Sequence, residues 1–379
     1  MPSQEHFAIE RFMDEYEENV DFNVAETCCH SLTLNELHKL CDEKFELNYD
    51  KRLTYGSICG SPELRSLIAK IHSSQNVQLT KENVLITNGA IAANFLVSYA
   101  LAGPGDHVIC VAPTYQQLSS VPRMFGADVD ILCLKEVDGY LPHIAELTAM
   151  IKPNTKLIVL NNPNNPLGSV IPTDLLEKIA TVADDRNITV LCDEVYSPLF
   201  HSCGQPKSFV QLSARGIVTG SMSKAYSAAG VRLGWIVSRD TKFLEQAASR
   251  RDYNTISVSM VDDEIAHYIL RNRDAVLKRN YTLCTENLAT LKDFVKSSNG
   301  KFSFVHEPEG GSVCLIRVSG IEDTEAFARS LATHYKVLFA PVECFGIPGT
   351  LRVGYGNSNL ELTKGLELLN KAYNGELEK

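Results

Sequence analysis

The chain has 379 residues, of which 44% are hydrophobic and 22% charged, and this ordinary globular composition excludes a fibrous or disordered protein. Its length predicts two or three domains, or one large domain with an appendage. The 46 acidic side chains outnumber the 36 basic ones, which gives a net charge of -10. Such a balance argues against a nucleic-acid partner, because neutralising a phosphate backbone needs a basic face.

The cysteines predict a reducing compartment. There are 11 of them, an odd number without a Cys-x-x-Cys pair, and several stand inside apolar runs, which is typical of reduced, partly buried thiols. The N-terminus is acidic and lacks the apolar core of a signal peptide, and no run approaches the ~18 apolar residues that span a membrane. We therefore expect a cytoplasmic protein without a membrane partner.

Strand-like and helix-like segments alternate between residues 60 and 240. Helices are predicted over 62–72 and 174–186, the second with Thr173 as its N-cap. The strand candidates are short, apolar and mostly β-branched, and they cover 83–89, 107–113, 128–134, 156–163, 188–196, 217–224 and 232–238. This alternation predicts a mostly parallel sheet covered on both faces, with a ligand site beyond the carboxyl ends of its strands.

The pattern changes after about residue 258. One long charged helical segment covers 259–298 and leads into four short strand candidates around one helix. The strand candidates are 302–308, 311–318, 335–341 and 350–356. We expect a smaller α+β domain that a long helix joins to the first domain.

The segment GSMSKAYSAAGVRLGW, residues 220–235, has the residue types that bind a phosphate dianion. Ser221 and Ser223 supply hydroxyl donors and Arg232 a planar guanidinium, all near a strand-to-helix turn. Lys224 stands directly beside them, and a desolvated lysine amine near positive charge can act as a nucleophile toward an aldehyde. The plainer interpretation is a surface lysine in a serine-rich turn.

Two further segments place polar residues just past predicted strands. In LCDEVYSPLF, Asp193 ends a buried strand and Tyr196 follows; a carboxylate there is costly unless paired with a cation, although an N-cap role for Asp193 fits almost as well. In NNPNNPLG, Asn165 offers an amide hydrogen bond to a ligand, whereas turn chemistry alone also explains these residues.

The motifs N-P-L-G, D-E-V-Y, S-M-S-K and G-V-R-L-G-W, in this order, resemble those of the fold type I pyridoxal-phosphate enzymes, specifically the class I/II aminotransferase family. The resemblance runs from about Tyr55 to Arg352. It implies an α/β fold in which a large domain, 48–265, has a mostly parallel seven-stranded sheet covered by helices. Residues 1–47 and 266–379 are expected to form a small α+β domain, and the implied cofactor is pyridoxal 5'-phosphate.

The resemblance assigns roles around the cofactor ring. It implies that Lys224 is the Schiff-base lysine, that Asp193 pairs with the pyridinium nitrogen, and that Tyr196 and Asn165 bond the phenolic oxygen. Tyr115 matches the aromatic residue that stacks on the ring. An aspartate in that place keeps the ring nitrogen protonated, so that the ring accepts electrons from the substrate Cα, and the released lysine amine moves the proton.

Arg352 matches the arginine that clamps the α-carboxylate of the substrate. The resemblance also implies a group of residues around the cofactor phosphate, namely Gly89, Ala90, Ser221, Ser223, Arg232 and Tyr55. Because Tyr55 reaches the phosphate of the neighbouring subunit in this family, the resemblance implies a homodimer whose active sites are shared across the interface.

Three segments depart from the common family pattern. In 21–34, Asn23, Ala25 and Glu26 take the neighbourhood of the substrate side chain; the segments 250–259 and 340–346 contribute Asp252 and Glu343. We hypothesise that these acidic residues cluster, so that the substrate side chain is neutral or cationic rather than a second carboxylate. Cysteines of the departing segments, Cys28, Cys29 and Cys344, are expected near the substrate entrance.

The expected activity is transamination of an L-amino acid through a lysine Schiff base, a quinonoid and a ketimine, with a 2-oxo acid as acceptor. The departures leave an alternative open: a lyase, cyclase or oxidase on the same scaffold, similar to aminocyclopropane-carboxylate synthase or capreomycidine synthase. Other classes lack their signatures, because the sequence has no Gly-x-Gly-x-x-Gly after its first strand, no P-loop, no metal-ligand spacing of His and Cys, and no residues left over for a helix-turn-helix domain.

Overall fold

The computed structural model describes residues 4–41 and 43–376. In chain order the helices are α1 (Ala8–Tyr16), α2 (Leu34–Leu40), α3 (Pro62–His72), α4 (Gly89–Leu101), α5 (Gln117–Met124), α6 (Ile144–Met150), α7 (Thr173–Asp184), α8 (Phe209–Leu212), α9 (Thr241–Arg251), α10 (Met260–Arg271), α11 (Arg273–Ser297), α12 (Thr324–His334) and α13 (Asn359–Tyr373). The strands are β1 (Phe22–Asn23), β2 (Val84–Thr87), β3 (His107–Ala112), β4 (Asp128–Cys133), β5 (Thr155–Asn161), β6 (Thr189–Asp193), β7 (Gly216–Ser221), β8 (Gly234–Ser238), β9 (Phe302–Phe304), β10 (Val313–Val318), β11 (Val337–Leu338), β12 (Ala340–Pro341) and β13 (Thr350–Gly354).

Seven strands form the large sheet in the order β2-β8-β7-β6-β5-β3-β4. Strand β8 runs antiparallel to both of its neighbours, and the other pairs are parallel. Each of the seven strand candidates between residues 83 and 238 coincides with one of these strands, so the predicted mostly parallel seven-stranded sheet is confirmed.

Helices cover both faces of the large sheet, which explains why its strands are continuously apolar. Leu157 and Val159 of β5 pack with residues of α4 and α9 on one face. Ile158 and Leu160, which alternate with them, belong to the main core on the other face together with residues of α3, α7 and α8. Because successive side chains of a strand point to opposite faces of the sheet, one apolar run contributes to both layers.

A smaller antiparallel sheet has the strand order β12-β13-β10-β9. It confirms the predicted α+β part, with one difference. The strand candidate 335–341 splits into β11, which pairs in parallel with β1 of the N-terminal segment, and β12, which pairs with β13. The N-terminal segment thus joins the C-terminal part of the chain through backbone hydrogen bonds.

Two local predictions were wrong. The long helix over 259–298 is interrupted at Asn272, whose backbone leaves the helical region and whose side-chain amide donates to the Tyr268 carbonyl, because asparagine side chains compete with the helix for backbone groups. Thr173 is the first residue of α7 and not its N-cap; its hydroxyl instead accepts a hydrogen bond from the Lys207 amide.

The domain boundaries at 48–265 and at 1–47 with 266–379 stay a prediction, and residues 1–3, 42 and 377–379 of the second range lie outside the described residues. In the part of the chain that the structure describes, no helix is both long and apolar enough to cross a membrane.

The N-terminal segment 22–29 runs from its pairing with β11 to the turn after β7 of the large sheet, and it touches β13 on the way. The Gly354 amide donates to the Val24 carbonyl over 2.7 Å. A Cβ atom at Gly354 would lie only 1.7 Å from the Glu26 carbonyl oxygen. A side chain at this position is therefore incompatible with the observed path of the segment.

We expect Gly354→Ala to destabilise the protein by about 1–3 kcal/mol, because the added methyl group meets backbone that must shift as a whole. Thermal unfolding measures the change. Gly204→Ala is the matched control, since no atom lies within 4 Å of the Cβ position there. Equal unfolding temperatures for the two variants would contradict the close approach.

Candidate active site

A cavity of about 320 Å³ lies between the two sheets, at the carboxyl ends of the parallel strands. Its lining includes twelve of the sequence-predicted residues: Ala25, Glu26, Ala90, Tyr115, Asn165, Asp193, Tyr196, Ser221, Ser223, Lys224, Arg232 and Arg352. The parallel sheet brings most of them together because the ends of β3, β5, β6 and β7 meet at one edge. Ala25 and Glu26 come from the segment after β1, and Arg352 comes from β13.

Lys224 lies in the turn after β7, and its amine is enclosed by the N-terminal segment. The Nζ atom donates to Thr27 Oγ1 over 2.5 Å and to Cys28 Sγ over 3.3 Å. Burial alone lowers the pKa of Lys224, but the groups of Cys28, Tyr196 and Glu26 outweigh it and the net pKa is raised. The interpretation as a surface lysine is therefore excluded.

Asp193 ends β6 inside the protein, with 4% of its surface exposed. Its Oδ2 accepts from Asn94 Nδ2 over 2.9 Å, and its Oδ1 accepts from the Val195 amide over 3.1 Å. Burial raises the pKa of Asp193 to about 6, although these hydrogen bonds and the charge of Lys224 act in the opposite direction. No helix follows Asp193, so the N-cap alternative is wrong.

Buried polar atoms without partners point into the cavity. Among the described residues, neither the Tyr196 hydroxyl nor Arg352 Nε has a hydrogen-bond partner, although burying such groups unpaired is costly. The other guanidinium nitrogens of Arg352 donate to Asn165 Oδ1 over 3.3 Å and to the Ala25 carbonyl over 3.1 Å. A ligand with acceptor oxygens would satisfy the two unpaired donors.

The first turn of α4 borders the same cavity. No side chain caps this helix, and the free amides at a helix N-terminus attract an anion. Gly89 has φ = +79°, and a Cβ there would lie 3.2 Å from Arg232 Nη2. Gly89 thus leaves room for the guanidinium of Arg232. Together with the hydroxyls of Ser221 and Ser223, this guanidinium supplies hydrogen-bond donors for a dianion.

Helix α1 and the residue after it were missed as part of the site. Ile9, Glu10 and Met13 of α1 line the cavity, as does Glu17 directly after the helix, and Glu10 Oε1 accepts from the Tyr115 hydroxyl over 2.8 Å. Partial burial and neighbouring carboxylates, Glu26 foremost, raise the pKa of Glu17. The spacing of Ile9, Met13 and Glu17 on one helical face was the available signal.

The predicted acidic cluster was wrong for two of its three residues, Asp252 and Glu343. Glu343 accepts from the Thr324 and Glu325 amides at the start of α12, and Asp252 follows the end of α9; neither lines the cavity. Glu26 does line it, but its Oε1 accepts from the Thr27 and Cys28 amides over 2.6 and 2.7 Å. Among the described residues, the glutamates that line the cavity are Glu10, Glu17 and Glu26, in addition to Asp193.

Some predicted residues stand away from the cavity. Asn23 Oδ1 accepts from the Ala25 and Glu26 amides, so Asn23 shapes the loop rather than lining the site. Tyr55 is 75% exposed and lies outside the cavity of its own chain. Of the three cysteines expected near the entrance, only Cys28 lines the cavity; Cys29 is buried against Cys284, with 3.6 Å between their sulfur atoms.

Three asparagine and threonine residues that the sequence did not single out complete the site. Asn94 accepts from Thr219 Oγ1 over 2.7 Å, which fixes its amide toward Asp193. Asn161 Oδ1 accepts from the Asn165 amide over 2.7 Å and holds the loop after β5. The motif N-N-P-N-N offered a signal for Asn161, whereas Asn94 and Thr219 are far apart in sequence and only the fold joins them.

Residues 25–369 match the aminotransferase class I and II family, and the chain belongs to that family. The aspartate aminotransferase of Pyrococcus horikoshii is 27% identical over 332 residues, 85% of this chain and 83% of the relative. The capreomycidine synthase of Streptomyces vinaceus is 28% identical over 290 residues, 76% of this chain and 74% of the relative.

The crystal structure of a PLP-dependent aminotransferase from Streptococcus suis superposes with a TM-score of 0.92 and 31% identity, covering 100% of both chains. The protein is therefore a PLP-dependent transferase, and pyridoxal 5'-phosphate is its cofactor. The residues of the cavity fit this group: an uncapped helix start with serines and an arginine suits its phosphate, and the unpaired Tyr196 hydroxyl suits an oxygen of its ring.

The buried carboxyl of Asp193 gives the cofactor-free protein a specific pH dependence. Because its folded pKa of about 6 lies above that of an unfolded aspartate, its stabilising contribution is present below pH 4 and is lost as the pH rises through 6. We expect wild type to lose about 2 kcal/mol relative to Asp193→Asn between pH 4.5 and 7. Thermal unfolding of both proteins across this range measures the difference; parallel curves would contradict it.

Proposed function

We propose that this protein is an aminotransferase that acts on an L-amino acid with a neutral or cationic side chain and passes the amino group to a 2-oxo acid. The observation that carries the proposal is the half-buried Lys224, whose amine lies in one cavity with the buried Asp193 and Arg352. When bound there, pyridoxal phosphate supplies an electron-accepting ring conjugated to the substrate Cα.

In this proposal each cavity residue acts on one part of the cofactor or the substrate. Lys224 would hold the cofactor covalently and, as a free amine, would move a proton to and from the substrate Cα. Asp193 would keep the ring nitrogen protonated, and that cation would offset the burial that raises the pKa of Asp193. Tyr196 and Asn165 would bind the phenolic oxygen, and Tyr115 would face the ring.

The phosphate site combines charge with backbone donors. Ser221, Ser223 and Arg232 surround the start of α4, where Gly89 and Ala90 supply backbone amides, and a dianion there gains both hydrogen bonds and the helix dipole. On the opposite side, Arg352 clamps the substrate α-carboxylate, because its Nε is unpaired and its other nitrogens are fixed by Asn165 and Ala25.

The acidic residues of the cavity lining favour a cationic substrate side chain. Glu10, Glu17 and Glu26 belong to this lining, as do the apolar Ile9 and Met13. Burial and, after it, the charges of neighbouring carboxylates including Glu26 and Glu10 raise the pKa of Glu17, and a cation on an apolar stem would offset these charges. A substrate carboxylate would add to them.

A homodimer is part of the proposal. Large hydrophobic side chains are exposed in two stretches of the described chain: Tyr49, Leu53, Tyr55 and Ile58, and Tyr253 and Ile256. Such clustering marks an interaction surface. Tyr55, which has no place in its own cavity, is then available to the phosphate of the partner's cofactor.

The alternative is a cyclase or lyase on the same scaffold. Its support is the similarity to the capreomycidine synthase of Streptomyces vinaceus, which extends over three quarters of this chain, together with a segment 21–34 that departs from the common pattern. Release of ammonia or of a cyclic product, without conversion of a 2-oxo acid to an amino acid, would favour this alternative.

Replacing the proposed cofactor lysine tests the reaction class. We expect Lys224→Ala to lose the ~420 nm absorbance of the bound cofactor and to abolish amino transfer, because no other described lysine lines the cavity. Lys207→Ala is the control: that lysine pairs with Glu177 at the surface and its loss should leave the spectrum unchanged. Retained absorbance and turnover in Lys224→Ala would contradict the proposal.

The acidic lining gives a second prediction. Wild type should use amino acids with cationic side chains better than aspartate or glutamate, and Glu17→Gln should raise KM for a cationic substrate about 5–30-fold, since one charge-assisted contact contributes roughly 1–2 kcal/mol. Steady-state kinetics with a panel of amino acids measures this. Glu325→Gln, an exposed glutamate outside the cavity, is the control, and preference for aspartate would contradict the prediction.

A further inference from the structure

The amine of Lys224 is held by a hydroxyl that comes from outside the large sheet. Thr27 Oγ1 accepts from Lys224 Nζ over 2.5 Å, and Cys28 Sγ lies 3.3 Å from the same nitrogen. The hydroxyl is the stronger acceptor of the two. The contact therefore fixes the direction of one N–H bond of the lysine.

Hydrogen bonds hold the backbone of Thr27 at both its amide and its carbonyl. Its amide donates to Glu26 Oε1 over 2.6 Å, and its carbonyl accepts from Ser312 Oγ over 2.6 Å. The next residues are fixed as well, since the Cys28 amide donates to Glu26 Oε1 and the Cys29 amide to the Lys224 carbonyl over 3.2 Å. The hydroxyl thus has little freedom to follow the amine.

Glu26 stays ionised in this loop. Burial raises its pKa, but the charge of Lys224 and the amides of Cys28 and Thr27 lower it further, and the net pKa is below the ordinary value. A fixed carboxylate that binds two successive amides is a rigid support, comparable to a helix cap. The loop is preorganised around the lysine.

We infer that Thr27 is a positioning residue that orients the free amine of Lys224 for proton transfer at the substrate Cα. This inference rests on the proposed function. In that step the Cα–H bond breaks, its electron pair stays on the substrate, and the proton forms a bond to Nζ. The hydroxyl binds one N–H of the neutral amine, which directs the nitrogen lone pair toward the cavity.

The first experiment measures the amine without turnover. In the cofactor-free full-length protein, the rate at which acetic anhydride modifies Lys224 is followed by mass spectrometry across pH 7–10, relative to Lys207 in the same sample. Thr27→Val removes an acceptor that stabilises the ammonium, so the pKa of Lys224 falls and its modification at pH 8 becomes about 3–10-fold faster. Thr27→Ser keeps the acceptor and stays near wild type.

The second experiment uses the cofactor-loaded enzyme. Exchange of the substrate Cα proton with solvent deuterium should slow about 10–100-fold in Thr27→Val at saturating substrate, with KM little changed. Thr27→Ser should restore most of the rate. Thr282→Val, an exposed threonine on α11, controls for the substitution itself, and equal unfolding temperatures of all variants show that the fold is kept.

The outcomes separate the two proposals. If wild type exchanges the Cα proton and Thr27→Val equals it in exchange and in modification rate, the inference about Thr27 is overturned while the proposed function stands. If wild type binds no cofactor and exchanges no proton, the proposed function fails. A slow Thr27→Val that Thr27→Ser does not rescue also overturns the inference, because the hydroxyl would then not be the cause.

Discussion

The close backbone contact between the N-terminal segment and β13 is the constraint on which the site depends. Gly354 donates to Val24 and lets the Glu26 carbonyl approach where a side chain would stand. The same segment pairs with β11 at one end and reaches Lys224 at the other. The single segment 22–29 therefore connects the C-terminal strands β11 and β13 to the large sheet.

Around this contact, the cavity lining combines opposite charges. The turns after the large sheet supply Lys224 and Arg232, and the N-terminal part of the chain supplies Glu10, Glu17 and Glu26. Asp193, at the end of β6, is buried, and burial raises its pKa. Such unfavourable burial of charge is typical of functional sites, where a ligand compensates for it. The net charge of -10 conceals the cations of this lining.

Much of this fold was predictable from sequence because short apolar segments encode the strands of the large sheet. Seven apolar segments became seven strands, and the polar residues that follow them became one cavity, since parallel strands end at one edge. The prediction was wrong where a single side chain redirected the backbone, as Asn272 does between α10 and α11. The split of 335–341 into β11 and β12 has another cause: β11 pairs with β1 near the start of the chain, whereas β12 pairs with β13, and no local pattern reveals the distant partner of β11.

The sequence by itself determined the family and most of the polar residues that meet in one cavity, because these residues stand in a fixed order of motifs along the chain. Only the tertiary structure decided which acids line that cavity. Glu343 caps α12 and Asp252 lies at the end of α9, whereas Glu10 and Glu17, more than 200 residues before Lys224, line the cavity. Long-range packing of α1 and of segment 22–29 set that choice, and no local pattern encodes such packing.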